Sequence, residues 1–387
     1  MSEEIVAAIE APRRAAALLG HADATQRLAD AWQGGRLAHG WLIAGPQGIG
    51  KATFAWRFAR RVLAARPKGE GLDTDPADPG ARQVAAGSHP DLRLVRRSHA
   101  RTSPFRFRTE IGVDDIRDLG PFLHQTAARG GWRVIVVDAA DDMNRNAQNA
   151  LLKLLEEPPA KTVFLLMAHA PSRLLPTIRS RCRVLLLRPL AEPDVAAVLA
   201  ECRARAVAAL GEAADEEGIL ARTGLSTEAA KAVAALDDAA LAGLARLADG
   251  APGRALALAA AGGLAVYADM VALLGTLPAL DGRRLSATTD RFGNNAGEPA
   301  FRAFVDLVQW WLSRAVRAAA TGDGVAEIVA GEEAVRARLL GLAGPAAWAE
   351  AAERIATLFA RGDGLNLDRK QLAMDAVFTL AETARRA

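Results

Sequence analysis

The stretch WLIAGPQGIGKATFAWRFARRVL, residues 41–63, constrains this chain more than any other: a short apolar run enters a glycine-rich loop that opens straight into an amphipathic segment. Gly45, Gly48, Gly50 and Lys51 match G-x-x-x-x-G-K, and a strand before with a helix after is the context that a phosphate-binding loop requires. Glycines let backbone N–H groups curl around phosphate at a helix N-terminus, with the lysine ammonium set on the terminal phosphates. Phe54, Phe58 and Val62 recur at the spacing of one helix face. Position 52, however, is Ala, where a Ser or Thr hydroxyl ordinarily ligates Mg²⁺. Thr53 follows it, about 100° further round a helix.

Downstream, WRVIVVDAADDM is a wholly apolar strand ending in Asp138, suited to the middle of a parallel sheet. A carboxylate at that end can hold the water shell of magnesium. Ala139 follows it, so no group is evident for activating water. Asp141 and Asp142 are expected to cap the next helix, with Asn144 as a further cap. TVFLLMAHAP and RVLLL read as further strands, VDDIRDLGPFL and NRNAQNALLKLLEEPP as helices, and residues 67–87 as an exposed loop. Strands alternating with helices to about residue 188 predict a doubly wound α/β domain.

Beyond residue 190 the periodicity is helical, and three domains are expected: an α/β nucleotide-binding-like domain over 1–190, a small helical lid over 191–263 and a helical domain over 264–387. Only Cys182 and Cys202 are present, without zinc or disulfide spacing. No apolar run reads as a signal or a membrane span, so the cytoplasm is the expected compartment and no membrane partner is foreseen. A net charge of +3 permits contact with nucleic acid without requiring it. In RLVRRSHARTSPFRFR, Phe105 and Phe107 interleave with Arg101, Arg106 and Arg108, open to reading as a single-strand-binding ribbon or a solvated hairpin.

RLAHGWLIAGPQGIGKAT, AGSHPDLRLV, GVDDIRDLGPFL, NALLKLLEEPP and LPTIRSRC occur in that order, and NLDRKQLAMDAVF lies near the C-terminus. Together they resemble the clamp-loader subunits of bacterial DNA polymerase III, and within that group the delta-prime chains. The resemblance implies an AAA+ P-loop domain with parallel sheet, a small lid and a helical collar through which subunits join in a ring. It further implies that Arg181 of SRC reaches in trans, as an arginine finger, into the ATP site of a neighbour. The implied partners are the gamma/tau ATPase and delta subunits, with the sliding clamp and primer-template DNA met through the complex.

On this resemblance Arg254, in GAPGRALAL, stands at the second sensor segment, either touching phosphate or as a solvated helix-start arginine. His169 stands at the end of the sensor strand, as a phosphate sensor or a structural histidine. Many delta-prime chains carry a four-cysteine zinc module where residues 67–87 lack Cys and His, so zinc is not expected. The expected chain is a largely non-catalytic scaffold, binding ATP or ADP without turnover at Gly45, Gly48, Gly50, Lys51, Thr53, Asp138 and Arg254, with weak or absent Mg²⁺ and no metal site of its own. The alternative is a self-sufficient AAA+ ATPase remodelling DNA or protein, its site rescued by Thr53, Asp141 or Asp142.

Overall fold

In the computed structural model, the residues described are 12–15, 18–66, 71–97, 99–100, 103–108, 110–128, 131–212, 215–322, 326–365 and 367–385. They divide into two compact units, one of residues 1–235 with 248–254, the other of 236–247 with 255–387.

The first unit is built on five parallel strands in the order β2 (Leu92–Arg96), β5 (Arg133–Asp138), β6 (Thr162–Ala168), β1 (Gly40–Ala44), β7 (Arg183–Leu186). Alternate side chains of the central strands enter two separate cores, as a period of two demands. On one face Trp41, Ile43, Val134, Val136, Val163 and Leu165 pack with Phe54 and Phe58 of α2 (Lys51–Leu63) and with Leu28 of α1 (Ala22–Gln33). On the other, Leu42, Ile135, Val137, Phe164 and Leu166 meet Leu151 and Leu155 of α6 (Arg145–Glu156), and Ile116 and Phe122 of α4 (Val113–Arg117) and α5 (Leu119–His124). The sheet is therefore covered on both faces, and the expected doubly wound α/β architecture is the one observed. A separate hairpin pairs β3 (His99–Ala100) with β4 (Ser103–Phe107) in antiparallel fashion.

Residues 67–87 depart from the irregular loop expected of them, because α3 spans Pro79–Ala86. Its start is built by Asp78, whose carboxylate accepts the N–H of Ala81 inside the helix and the N–H groups of Ala65 and Arg66 just past the end of α2. One buried carboxylate thus closes one helix and opens the next. Pro79 follows at the first helical position, where its missing donor costs nothing.

α7 (Pro176–Arg181) leads into β7, after which the first unit continues through α8 (Glu192–Gly211), α9 (Glu216–Thr223) and α10 (Thr227–Ala234). The chain leaves through α11 (Asp238–Leu247), and residues 248–254 return to the first unit before α12 (Pro252–Ala260) runs out of it. The second unit is helical: α13 (Gly263–Leu274), α14 (Gly282–Thr289), α15 (Glu298–Thr321), α16 (Glu332–Leu342), α17 (Pro345–Leu365) and α18 (Arg369–Arg385). Its core holds Trp348, Phe292, Phe304 and Tyr267, whose hydroxyl donates to the buried carboxylate of Glu332 at 2.6 Å. Trp310 and Trp311 are buried core residues in α15. Among the described residues no single helix is long and apolar enough to cross a membrane.

Candidate functional site

β1 delivers the glycine loop at the carboxyl edge of the sheet, between β6 and β7. Gly45 and Gly48 take φ of 154° and 76°. A Cβ on Gly48 would stand 2.8 Å from the backbone nitrogen of Arg254, so the close approach itself requires glycine. That approach comes from the returning segment, where the Gly253 N–H donates to the Gly48 carbonyl at 2.8 Å. The backbone of Arg254 therefore lies beside the loop.

Lys51 begins α2 and is only 5% exposed. Its ammonium donates to the carbonyls of Gly45 and Pro46 and meets Nδ1 of His169, each at 2.7 Å. Burial lowers the Lys51 pKa to about 8, against the opposing pull of Asp138 and Asp141. Burial likewise lowers that of His169, reinforced by the lysine charge. Asp138 ends β5 in the same neighbourhood, and burial raises its carboxyl above the ordinary range despite the attraction of Lys51.

Asp141 is not the helix cap that the sequence suggested. Its carboxylate accepts the N–H of Ala170 at 2.8 Å and that of His169 at 3.0 Å, tying the end of β6 to the end of β5. Burial works to raise its pKa, but these backbone bonds prevail and hold it low. Asn144 caps α6 instead, its side-chain oxygen accepting from the Ala147 N–H at 2.9 Å, and Asp142 pairs with Arg97 at 3.3 Å. Asp141 is thus engaged by backbone donors, while Asp142 is held only by a partly exposed ion pair.

The glycine conformations and the lysine fit a phosphate group. For magnesium, Ala52 offers no side-chain hydroxyl, while Asp138 keeps a carboxylate at the end of β5; Ala139 beside it offers no carboxylate to activate water. Thr53 is half-buried one position along α2. Among the described residues no cluster of His, Cys, Asp or Glu is arranged to hold a metal ion.

Arg181 lies elsewhere. It ends α7, and its backbone sits at the start of β1, where a Cβ on Gly40 would stand 3.3 Å from the Arg181 carbonyl oxygen. Lys51 follows the other end of that strand. With four residue steps from Gly40 to Ala44, at roughly 3.3 Å each, the two groups occupy opposite edges of the sheet, about 13 Å apart along the strand alone. The guanidinium is 37% exposed, donating through Nη1 to the Thr177 carbonyl at 3.2 Å and pairing through Nη2 with Glu156 Oε1 at 2.7 Å. Next to it Cys182 is buried, and desolvation pushes its thiol up to about 12, which removes it as a nucleophile at neutral pH.

Sequence reasoning missed Glu156 and the contact between Lys51 and His169. The second was within reach, because adjacent parallel strands bring the ends of β1 and β6 together. Of the basic ribbon, Arg101 and the side chains of Phe105, Arg106 and Phe107 lie outside the described residues. Arg108 is described and lies 3.8 Å from Asp115.

Residues 20–191 match the family described as DNA polymerase III, delta subunit. The chain is 45% identical over 151 residues to the DNA polymerase III subunit delta' of Pseudomonas aeruginosa, covering 38% of this chain and 43% of that protein. It is 35% identical over 164 residues to that of Escherichia coli K12, covering 42% and 46%. The matched stretch thus spans less than half the length of these relatives. A solved DNA polymerase III gamma subunit-related protein from Thermotoga maritima covers 94% of this chain and 100% of its own, with 17% identity and a TM-score of 0.44, too distant for residue-by-residue transfer.

Proposed function

We propose that this chain, whose residues 20–191 match the family described as DNA polymerase III, delta subunit, serves as a delta-prime-like subunit of a clamp loader and supplies Arg181 in trans to a neighbouring ATPase. The observation that carries the reading is the separation of Arg181 from Lys51 across the sheet, which keeps the arginine from the chain's own phosphate loop while leaving it exposed at the rim. A guanidinium so placed can stabilise charge developing on a transferred phosphoryl group only if another chain brings that group to it. Its own site lacks a hydroxyl at 52, after the loop, and a carboxylate at 139, after β5, so the chain assists hydrolysis more than it performs it. On this reading the partners are gamma/tau ATPase and delta subunits in the cytoplasm, sliding clamp and primer-template DNA are met through the assembly, and residues 264–387 form its collar.

The test is DNA- and clamp-stimulated ATP hydrolysis by the reconstituted loader. Arg181→Ala should assemble normally and slow hydrolysis by about 10³-fold, with the lone chain silent. A variant loader as fast as the parent overturns the finger; steady hydrolysis by the lone chain, lost in Lys51→Ala, favours a self-sufficient ATPase.

A further inference from the structure

The three N–H donors of the Lys51 ammonium are all engaged, by the carbonyls of Gly45 and Pro46 and by the imidazole of His169. The two carbonyls belong to the loop itself and are compatible with a phosphate in front of it. His169 is different: it comes from the end of β6 and takes the donor that a phosphate oxygen would need. We infer that His169 sets the nucleotide affinity of this loop, acting as an internal substitute for phosphate that a nucleoside diphosphate or triphosphate must displace from Lys51.

Accepting from an ammonium requires a lone pair on Nδ1, hence a neutral ring with its proton on Nε2. Burial and the lysine charge both favour that neutral ring. The backbone that carries the imidazole is fixed: the His169 and Ala170 N–H groups donate to the Asp141 carboxylate, at 3.0 and 2.8 Å. Nor is the loop free to turn its lysine away. His21 Nε2 lies 2.9 Å from the Ile49 carbonyl, and the Gly253 N–H holds that of Gly48. An anionic phosphate is the stronger acceptor for a charged donor, but it gains Lys51 only by displacing the imidazole that holds it. The observed affinity is reduced by the fraction of molecules in which the ring is already displaced.

This proposal does not rest on the role of Arg181, and its test uses the full chain alone. ADP is titrated by calorimetry into the parent, His169→Ala, His169→Gln and the double variant His169→Ala with Lys51→Ala. The alanine variant should bind ADP at least about tenfold more tightly than the parent, and the gain should vanish in the double variant. Glutamine, whose amide oxygen can still accept from Lys51, should remain within about threefold of the parent. Binding by His169→Ala no tighter than the parent, or a gain that survives loss of Lys51, overturns the proposal. Should the alanine variant melt early, His169→Val, which likewise has no acceptor for Lys51, gives the same contrast. One readout needs no variant: ADP at saturation must shift the His169 ring resonances of the parent, and unmoved resonances overturn the proposal equally.

Discussion

The guanidinium of Arg181 rests on the carboxylate of Glu156, joining the last residue of α7 to the last residue of α6 through an Nη2 to Oε1 contact of 2.7 Å. Both side chains remain partly exposed, so the pair belongs to the class worth about 0–1 kcal/mol. An interaction of that size restrains the arginine without committing it. A polyphosphate carried by another chain offers more negative charge than one carboxylate and can draw the guanidinium off.

Replacing the resting partner tests that balance. Glu156→Gln should change the denaturation midpoint by no more than about 1 kcal/mol equivalent. In the reconstituted loader it should alter ATP hydrolysis in a manner abolished when Arg181→Ala is added. Identical effects of Glu156→Gln in both backgrounds would remove Glu156 from any role acting through the arginine.

Arg181→Lys keeps the charge and removes the planar fork that can bind a phosphoryl group through two parallel N–H donors. Most of the hydrolysis lost in Arg181→Ala should therefore stay lost, with assembly unchanged. Recovery of parental rates by lysine would mean that charge alone suffices at this position.

Asp78 should be worth about 1–3 kcal/mol, since Asp78→Ala leaves the N–H groups of Ala65, Arg66 and Ala81 without their acceptor. Burial acts to raise its pKa, but the bonds from Ala81, Ala65 and Arg66 prevail and hold it below the ordinary 3.8. The unfolded chain therefore binds the proton more readily than the folded one. The stabilisation is fully present above that ordinary value and is lost as pH falls through the folded pKa. The difference in urea midpoint between parent and variant should be constant from pH 7 to about pH 4 and narrow as the pH falls below the ordinary 3.8.

Lys51 should titrate near pH 8, seen as the side-chain nitrogen signal of a selectively labelled chain. Between about pH 8 and the ordinary 10.5 the folded chain binds fewer protons than the unfolded one, so this group's contribution to stability rises with pH across that window. A lysine titrating at its ordinary value would contradict the burial seen at the loop.

Much of the first unit was legible in the sequence because its signals are local. The glycine loop between an apolar run and a helical face, and the unbroken RVIVVD, each specify their element without help from distant residues. Local signals failed where two readings shared one residue type. Asp141 and Asn144 both suit a helix start; only the fold brings residues 169 and 170 to the first and leaves the cap to the second. The helix Pro79–Ala86 had its marks in view, a capping Asp followed by Pro, yet the surrounding Gly, Asp and Pro favoured a loop reading. Glu156 was unreadable for another reason: its partner is 25 positions away (181 − 156), and nothing in either segment indicates the pairing.

The opposite-edge placement of Arg181 and the glycine loop gives the first unit a direction. Contacts made through those two features are necessarily heterologous, the giving edge of one molecule against the receiving edge of another, and such contacts build rows or rings with a head and a tail. The two edges are not equally ready: Arg181 stands partly exposed on one, whereas on the other Lys51 is held from within by His169 and must first be released.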